Sequence, residues 1–188
     1  MKSKYIKFLS AVLIGSSFLM GCGNRNPKDV NESPGVTENS PDAVSSASKV
    51  SDVAALEKAL SPEGNWIILL QNDITSDKDL RVEGELYKPE RDNEGNMVLA
   101  GRNITLYNKD ADGKITATYT LKAPKLIVKS KETIIKDGTF VGDIYVEAPN
   151  FTLYKTKVEG NVYFSNDEAK DTFKLEEGAT VTGKVERK

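Results

Sequence analysis

The chain has 188 residues, 26 basic and 28 acidic, with a single cysteine, a single tryptophan and no histidine. That length fits one domain with tails, and the missing histidine excludes histidine-dependent triads, proton shuttles and HExxH zinc sites. One cysteine excludes intramolecular disulfides, iron–sulfur clusters and cysteine-rich zinc modules, and a formal net charge of -2 lacks the basic footprint of a nucleic-acid binder.

Lys2, Lys4 and Lys7 form a positive leader, and Phe8 to Met20 is apolar apart from small residues at Ser10, Gly15, Ser16 and Ser17. The run is too short for a comfortable transmembrane helix and fits a secretory signal. It closes on Leu19-Met20-Gly21-Cys22. This stretch resembles the lipobox of bacterial lipoproteins, although Met20 is an uncommon occupant of its position. The resemblance implies that residues 1–21 are removed, that Cys22 is acylated and becomes the mature N-terminus, and that the protein sits on the extracytoplasmic face of the cell membrane. The membrane is then a partner through lipid on Cys22, each buried CH₂ contributing about 0.8 kcal/mol. Cleavage would take away three lysines and no acid, so the mature chain gains no general attraction to anionic lipid.

Residues 22–50 carry Pro27, Pro34 and Pro41, many Asn and Ser, and no aromatic side chain, Leu or Ile. Such a composition cannot bury enough apolar surface to offset its ordering entropy. It is expected to be a flexible tether spanning on the order of 30 Å.

The composition changes at Ser51, where residues 51–188 are expected to fold. Val53, Leu56 and Leu60 fall at helical spacing, with Ser51 as a candidate N-cap, and Ser61-Pro62-Glu63-Gly64 stops the helix. Trp66-Ile67-Ile68-Leu69-Leu70 reads as a strand buried on both faces. Beyond it lie only short β-type runs between Gly, Asn, Asp and Pro turns.

An apolar–any–Gly–any–aliphatic pattern occurs four times, around Gly84, Gly142, Gly160 and Gly183. Asn103-Ile104-Thr105-Leu106-Tyr107 is repeated as Asn150-Phe151-Thr152-Leu153-Tyr154, and Ala123-Pro124 as Ala148-Pro149. Intervals near 20 residues predict solenoid coils of two or three short strands stacked in parallel. The expected fold is all-β, a right-handed parallel β-helix of about five coils with the helix at 51–60 as its N-terminal cap. In architecture and cap it resembles the pectate-lyase-like β-helix proteins. An antiparallel sandwich or meander is the alternative, with Asp112-Gly113 marking a hairpin within residues 102–121 in either case.

Tyr145 and Tyr163 each follow a repeated aliphatic residue and should point outward, stacked if neighbouring coils are in register. Tyr107 and Tyr154 hold equivalent outward places in the second pattern. Such a ladder is a candidate sugar-stacking surface, although cross-strand packing explains it as well. Asn108 to Gly113 resembles the opening of an EF-hand or dockerin calcium loop, but Tyr119 stands where the bidentate glutamate belongs, and a solvated turn explains the segment better. Thr116, Thr118 and Thr120 resemble one rung of an ice-binding array, which β-propensity also explains. A lyase-like site would need an acid cluster beside a basic residue. Arg81, Arg91, Arg102 and Arg187 are the domain's arginines, and the charged run Lys88 to Glu94 is the nearest approach to a cluster. The chain is therefore expected to be a non-catalytic binding or structural module of the cell envelope, with no cofactor and no metal. An envelope polysaccharide or protein is its expected partner, and a polysaccharide-binding or polysaccharide-lyase-like role is the alternative. The charged finish Lys184-Val185-Glu186-Arg187-Lys188 is expected to blunt the last open coil against end-to-end stacking.

Overall fold

Alternating apolar and polar residues in runs of three to five, separated by turn residues, can bury one face only by stacking on copies of themselves. The computed structural model describes residues 47–188, and they do so as a parallel β-solenoid. The leader, Cys22 and nearly all of the tether lie outside the described residues. The chain enters as β1 (Ala47–Val50) and α1 (Val53–Leu60), then makes β2 (Ile67–Leu70), β3 (Ile74–Thr75) and β4 (Leu80–Val82). A hairpin follows, β5 (Tyr87–Arg91) and β6 (Met97–Leu99), before β7 (Asn103–Thr105) resumes the solenoid. A second hairpin, β8 (Tyr107–Lys109) and β9 (Ile115–Thr118), precedes the long β10 (Thr120–Val128). The later coils are plainer: β11 (Ile134–Lys136) and β12 (Thr139–Val146), then β13 (Thr152–Tyr154), β14 (Lys157–Glu159) and β15 (Val162–Phe164). The last comprises α2 (Asp167–Asp171), β16 (Lys174–Glu176), β17 (Thr180–Val181) and β18 (Val185–Arg187).

The first sheet stacks β1-β2-β7-β11-β13-β16, and the second stacks β3/β4, β10, β12, β14/β15 and β17/β18, all parallel. The second sheet therefore has the five levels expected, and the first has one more. That extra strand is β1, from a stretch that reads as tether. Its sequence, Ala-Ser-Lys-Val, has no apolar run to announce it, and only Val50 enters the core.

Registers place like on like. Ile68, Ile104, Ile135 and Leu153 form one inward column, and Val82, Val128, Val146 and Phe164 another. All eight are at most 1% exposed, and burying each such side chain contributes about 1.5–3 kcal/mol. Between the third and second levels, Lys125, Lys129 and Lys131 pair with Asp79, Glu83 and Glu85 on the outside.

Three of the four glycines in the repeat stand in one corner column. A Cβ at Gly142 would strike the Ala123 carbonyl, one at Gly160 the Gly142 carbonyl, and one at Gly183 the Gly160 carbonyl. The next residues hold the corner together: Asp143 Oδ1 accepts from the backbone N–H and Nδ2 of Asn161, 18 residues on, and Asn161 Oδ1 accepts from Lys184 N–H. Gly84 belongs elsewhere. Val82 pairs with Val128, so Gly84 lies past the end of β4, where its φ of +89° lets the backbone pack on Pro62. The other two repeats are also out of register, since Asn103 aligns with Thr152 rather than Asn150.

The helix closes the first level as expected, with Leu56 and Leu60 buried. Its cap is Asp52, not Ser51: the carboxylate accepts from Ala55 N–H at 2.8 Å, the reach an N-cap requires. Behind it lies Arg102, 1% exposed. Its guanidinium donates to the carbonyls of Ala59 (3.0 Å), Asn65 (2.7 Å), Glu83 (2.5 Å) and Ser61. Two of those carbonyls end α1, where the helix dipole favours a cation. Burial lowers the Arg102 pKa, yet the group starts so high that it stays charged. It bolts α1 to β4 and β7.

Candidate functional site: a trough between two hairpins

The two hairpins interrupt an otherwise regular coil, and both turn on the same five-residue device. In Asp92-Asn93-Glu94-Gly95-Asn96, Asp92 Oδ1 accepts from Glu94 N–H (2.9 Å) and Asn96 N–H (2.8 Å). In Asp110-Ala111-Asp112-Gly113-Lys114, Asp110 Oδ1 accepts from Asp112 N–H (3.1 Å) and Lys114 N–H (2.9 Å). Gly95 and Gly113 take φ of +84° and +79° to complete each turn. Hydrogen bonds from Asn96 hold the Asp92 carboxyl below the usual carboxylate range. The segment resembling a calcium loop is thus a hairpin turn whose leading carboxylate is already engaged by backbone amides. Lys88 to Glu94, read as a solvated charged run, forms most of the other hairpin. The signal was present in the sequence: Asp-x-x-Gly stands at 92–95 as it does at 110–113.

Both hairpins border the outer face of the first sheet. Lys88, Val98 and Leu99 join Trp66, Ile67, Asn103 and Ile134 in lining an open hollow of about 500 Å³. Tyr107, Lys109 and Ile115 join Ile134, Lys136, Tyr154 and Glu176 in lining another of about 470 Å³. The hollows meet at Ile134. Since one hairpin precedes β7 and the other follows it, they wall opposite ends of the strands, leaving a trough along the sheet. Each hollow has the volume of a small-molecule site. The β2 strand explains part of the floor. It alternates, with Ile68 and Leu70 in the core and Ile67 and Leu69 facing outward, so its continuous apolar run serves two surfaces rather than a sheet buried on both sides.

Three aromatic rings line the trough, each with an ammonium nearby. Lys88 Nζ is 5.6 Å from the Trp66 ring centroid, Lys109 4.8 Å from Tyr107, and Lys155 5.2 Å from Tyr154. Such exposed pairs contribute about 0.5–1 kcal/mol each, so a ligand can displace them. Ring faces beside mobile donors suit a hydroxyl-rich ligand with apolar C–H faces. Glu132, at the edge, accepts from Asn150 Nδ2 at 2.8 Å.

The sequence-predicted tyrosines divide into two places. Tyr145 and Tyr163 are paired across adjacent coils, with ring centroids 5.1 Å apart at 46°, the contact expected of a parallel register. They sit on the second sheet, away from the trough. Tyr163 is only 9% exposed, and Lys188 Nζ lies 3.7 Å from its ring centroid. Lys188 also donates to the Tyr145 hydroxyl at 3.4 Å, which raises the lysine pKa. The hollow beside them is about 110 Å³, much smaller than either hollow of the trough. Tyr107 and Tyr154 are not equivalent rungs, since Tyr154 aligns with Lys136 and Tyr107 lies in the hairpin, yet both reach the trough. Trp66 joins them there, having read as a core residue.

Three of the domain's four arginines are committed otherwise. Arg102 is buried among carbonyls, Arg91 donates to Gly95 O within its hairpin, and Arg187 pairs with Asp167 at 3.1 Å. No cluster of three metal-ligating side chains occurs among the described residues.

Fold and trough together define a parallel β-solenoid with a hairpin-walled face. No family model matches the chain, and neither curated proteins nor solved structures supply a match.

Proposed function

We propose that this protein is a non-catalytic binding module, held by lipid on Cys22 at the extracytoplasmic face of the cell membrane, with its ligand seated in the trough. The observation carrying the reading is the pair of hairpins. Both are inserted in a regular solenoid, share one turn device and wall the same sheet face, which a purely structural rod does not need. The leader, lipobox-like end and tether-like segment 22–50 support display outside the membrane, beyond the described residues. An envelope polysaccharide is the ligand class favoured by Trp66, Tyr107 and Tyr154, with a protein partner as the second reading.

The test is co-sedimentation of residues 47–188 with purified cell wall and a panel of insoluble polysaccharides, with and without calcium. Saturable binding is expected, lost in Trp66→Ala/Tyr154→Ala and retained in Tyr145→Ala. Loss with Tyr145→Ala alone would move the seat to the second sheet. No binding to any polymer would sink the polysaccharide reading. Separately, Cys22→Ser in the full chain should release the protein from the membrane fraction.

A further inference from the structure

Among the described residues, nothing covers the core of the final coil. Leu175 and Val185 lie in the inward columns of Leu153 and Val162, both 0% exposed, yet are themselves 48% and 41% exposed. Among the described residues β16, β17 and β18 each pair on one side only, so one row of backbone donors and acceptors faces away from the solenoid. Such an edge is a template for another strand.

We infer that the occupant is a second copy of this chain, docked last coil to last coil about a two-fold axis through Leu175 and Gly183. The sequence of the coil is self-complementary about that axis. A two-fold pairs β16 antiparallel with its own copy, setting Leu175 on Leu175, Lys174 opposite Glu176 and Glu176 opposite Lys174. Opposite charges facing each other across an antiparallel pair are stabilising, and like charges are not. The same axis passes between β17 and β18, which flank Gly183. It sets β17 against the copy's β18, with Val181 opposite Val185, two residues of the inward phase. Thr182 then faces Lys184, and Thr180 faces Glu186, so the charged finish meets hydroxyls rather than like charges. Arg187 is drawn aside to Asp167. One rotation satisfies all three strands, and a closed isologous pair does not propagate into fibres. The contact shares Glu176 with the last rung of the trough, whose other lining residues lie on earlier coils.

The experiment uses the full-length chain with Cys22→Ser, so that an introduced cysteine is the only one. Leu175→Cys sits on the axis, and facing Cα atoms of an antiparallel pair fall within disulfide reach. It should form a disulfide dimer under mild oxidant on the order of tenfold faster than Asp110→Cys in the hairpin turn. Val181→Cys and Val185→Cys chains should cross-link to each other when mixed, and slowly to themselves. In sedimentation, the Cys22→Ser chain should be a dimer, Lys174→Glu a monomer, and Lys174→Glu/Glu176→Lys a dimer again. Leu175→Cys cross-linking no faster than Asp110→Cys, or a monomer at every concentration reached, would overturn the inference. So would a dimer indifferent to the charge swap.

Discussion

The two ends of the solenoid solve the same problem in opposite ways. A stack of parallel coils has a bare core and unpaired strands at each end. At the first end α1 lies over the opening, burying Leu56, Ala59 and Leu60, and Arg102 fastens it from beneath. At the other end Leu175 and Val185 continue the buried columns of Leu153 and Val162 and yet remain half open. Column membership alone therefore says little about what a residue contributes, because the contribution depends on whether a further layer covers it.

Arg102 gives the sharpest way to break the comparison. Arg102→Leu strands carbonyls of Ala59, Ser61, Asn65 and Glu83 in the interior, and should lower the unfolding free energy by about 3–5 kcal/mol. Denaturant melts of residues 47–188 would measure it, with Arg102→Lys losing less because it keeps the charge but not the fork. Next comes a matched pair of truncations, one at each end. Leu60→Ala should cost about 2–5 kcal/mol, and Leu175→Ala in dilute solution about 0.5 kcal/mol or less. Equal losses would mean that the final coil is as closed as the first.

The smallest expected effect lies in the ion pairs joining the second and third levels. Lys131, first by hydrogen bond and then by charge, holds the Glu85 carboxyl below its usual range, and Glu85 raises Lys131 in turn. A depressed carboxyl contributes stability above its unfolded pKa of about 4.3 and loses it as pH falls through the folded value. A raised lysine contributes below about 10.4 and loses it as pH rises through its own folded value. Both side chains are about half exposed, so the effect is slight and sensitive to salt. Glu85→Gln should shift the urea midpoint marginally at neutral pH and not at all near pH 2.

Much of the architecture is legible in the sequence, and specific residues show why the rest is not. The stacking of Tyr145 on Tyr163 follows from a glycine-marked corner in which Gly142, Gly160 and Gly183 are held to one column by steric necessity. Gly84 matches the same pattern for a different reason, a positive φ beside Pro62, and a five-residue match cannot distinguish the two. The Asn103 and Asn150 repeats look alike because each Asn precedes a buried apolar residue, Ile104 or Phe151, but the hairpin between β7 and β10 carries Tyr107 out of the rung. Arg102 has no local signal. Its partners lie 19 to 43 residues away and are backbone carbonyls, which every residue possesses. The trough was hidden likewise, because Trp66 looks like core until a hairpin is seen to make a surface groove beside it.

The bolt at Arg102 also imposes a timetable. A chain delivered N-terminus first presents α1 long before its fastener, since Ala59 and Arg102 are 43 residues apart. Whatever the rate of delivery, 43 residues must follow the lid before its latch arrives. During that interval an eight-residue helix, too short to persist alone, has only β1 to β4 to lean on. The first part of the domain to emerge is thus among the later parts to become permanent.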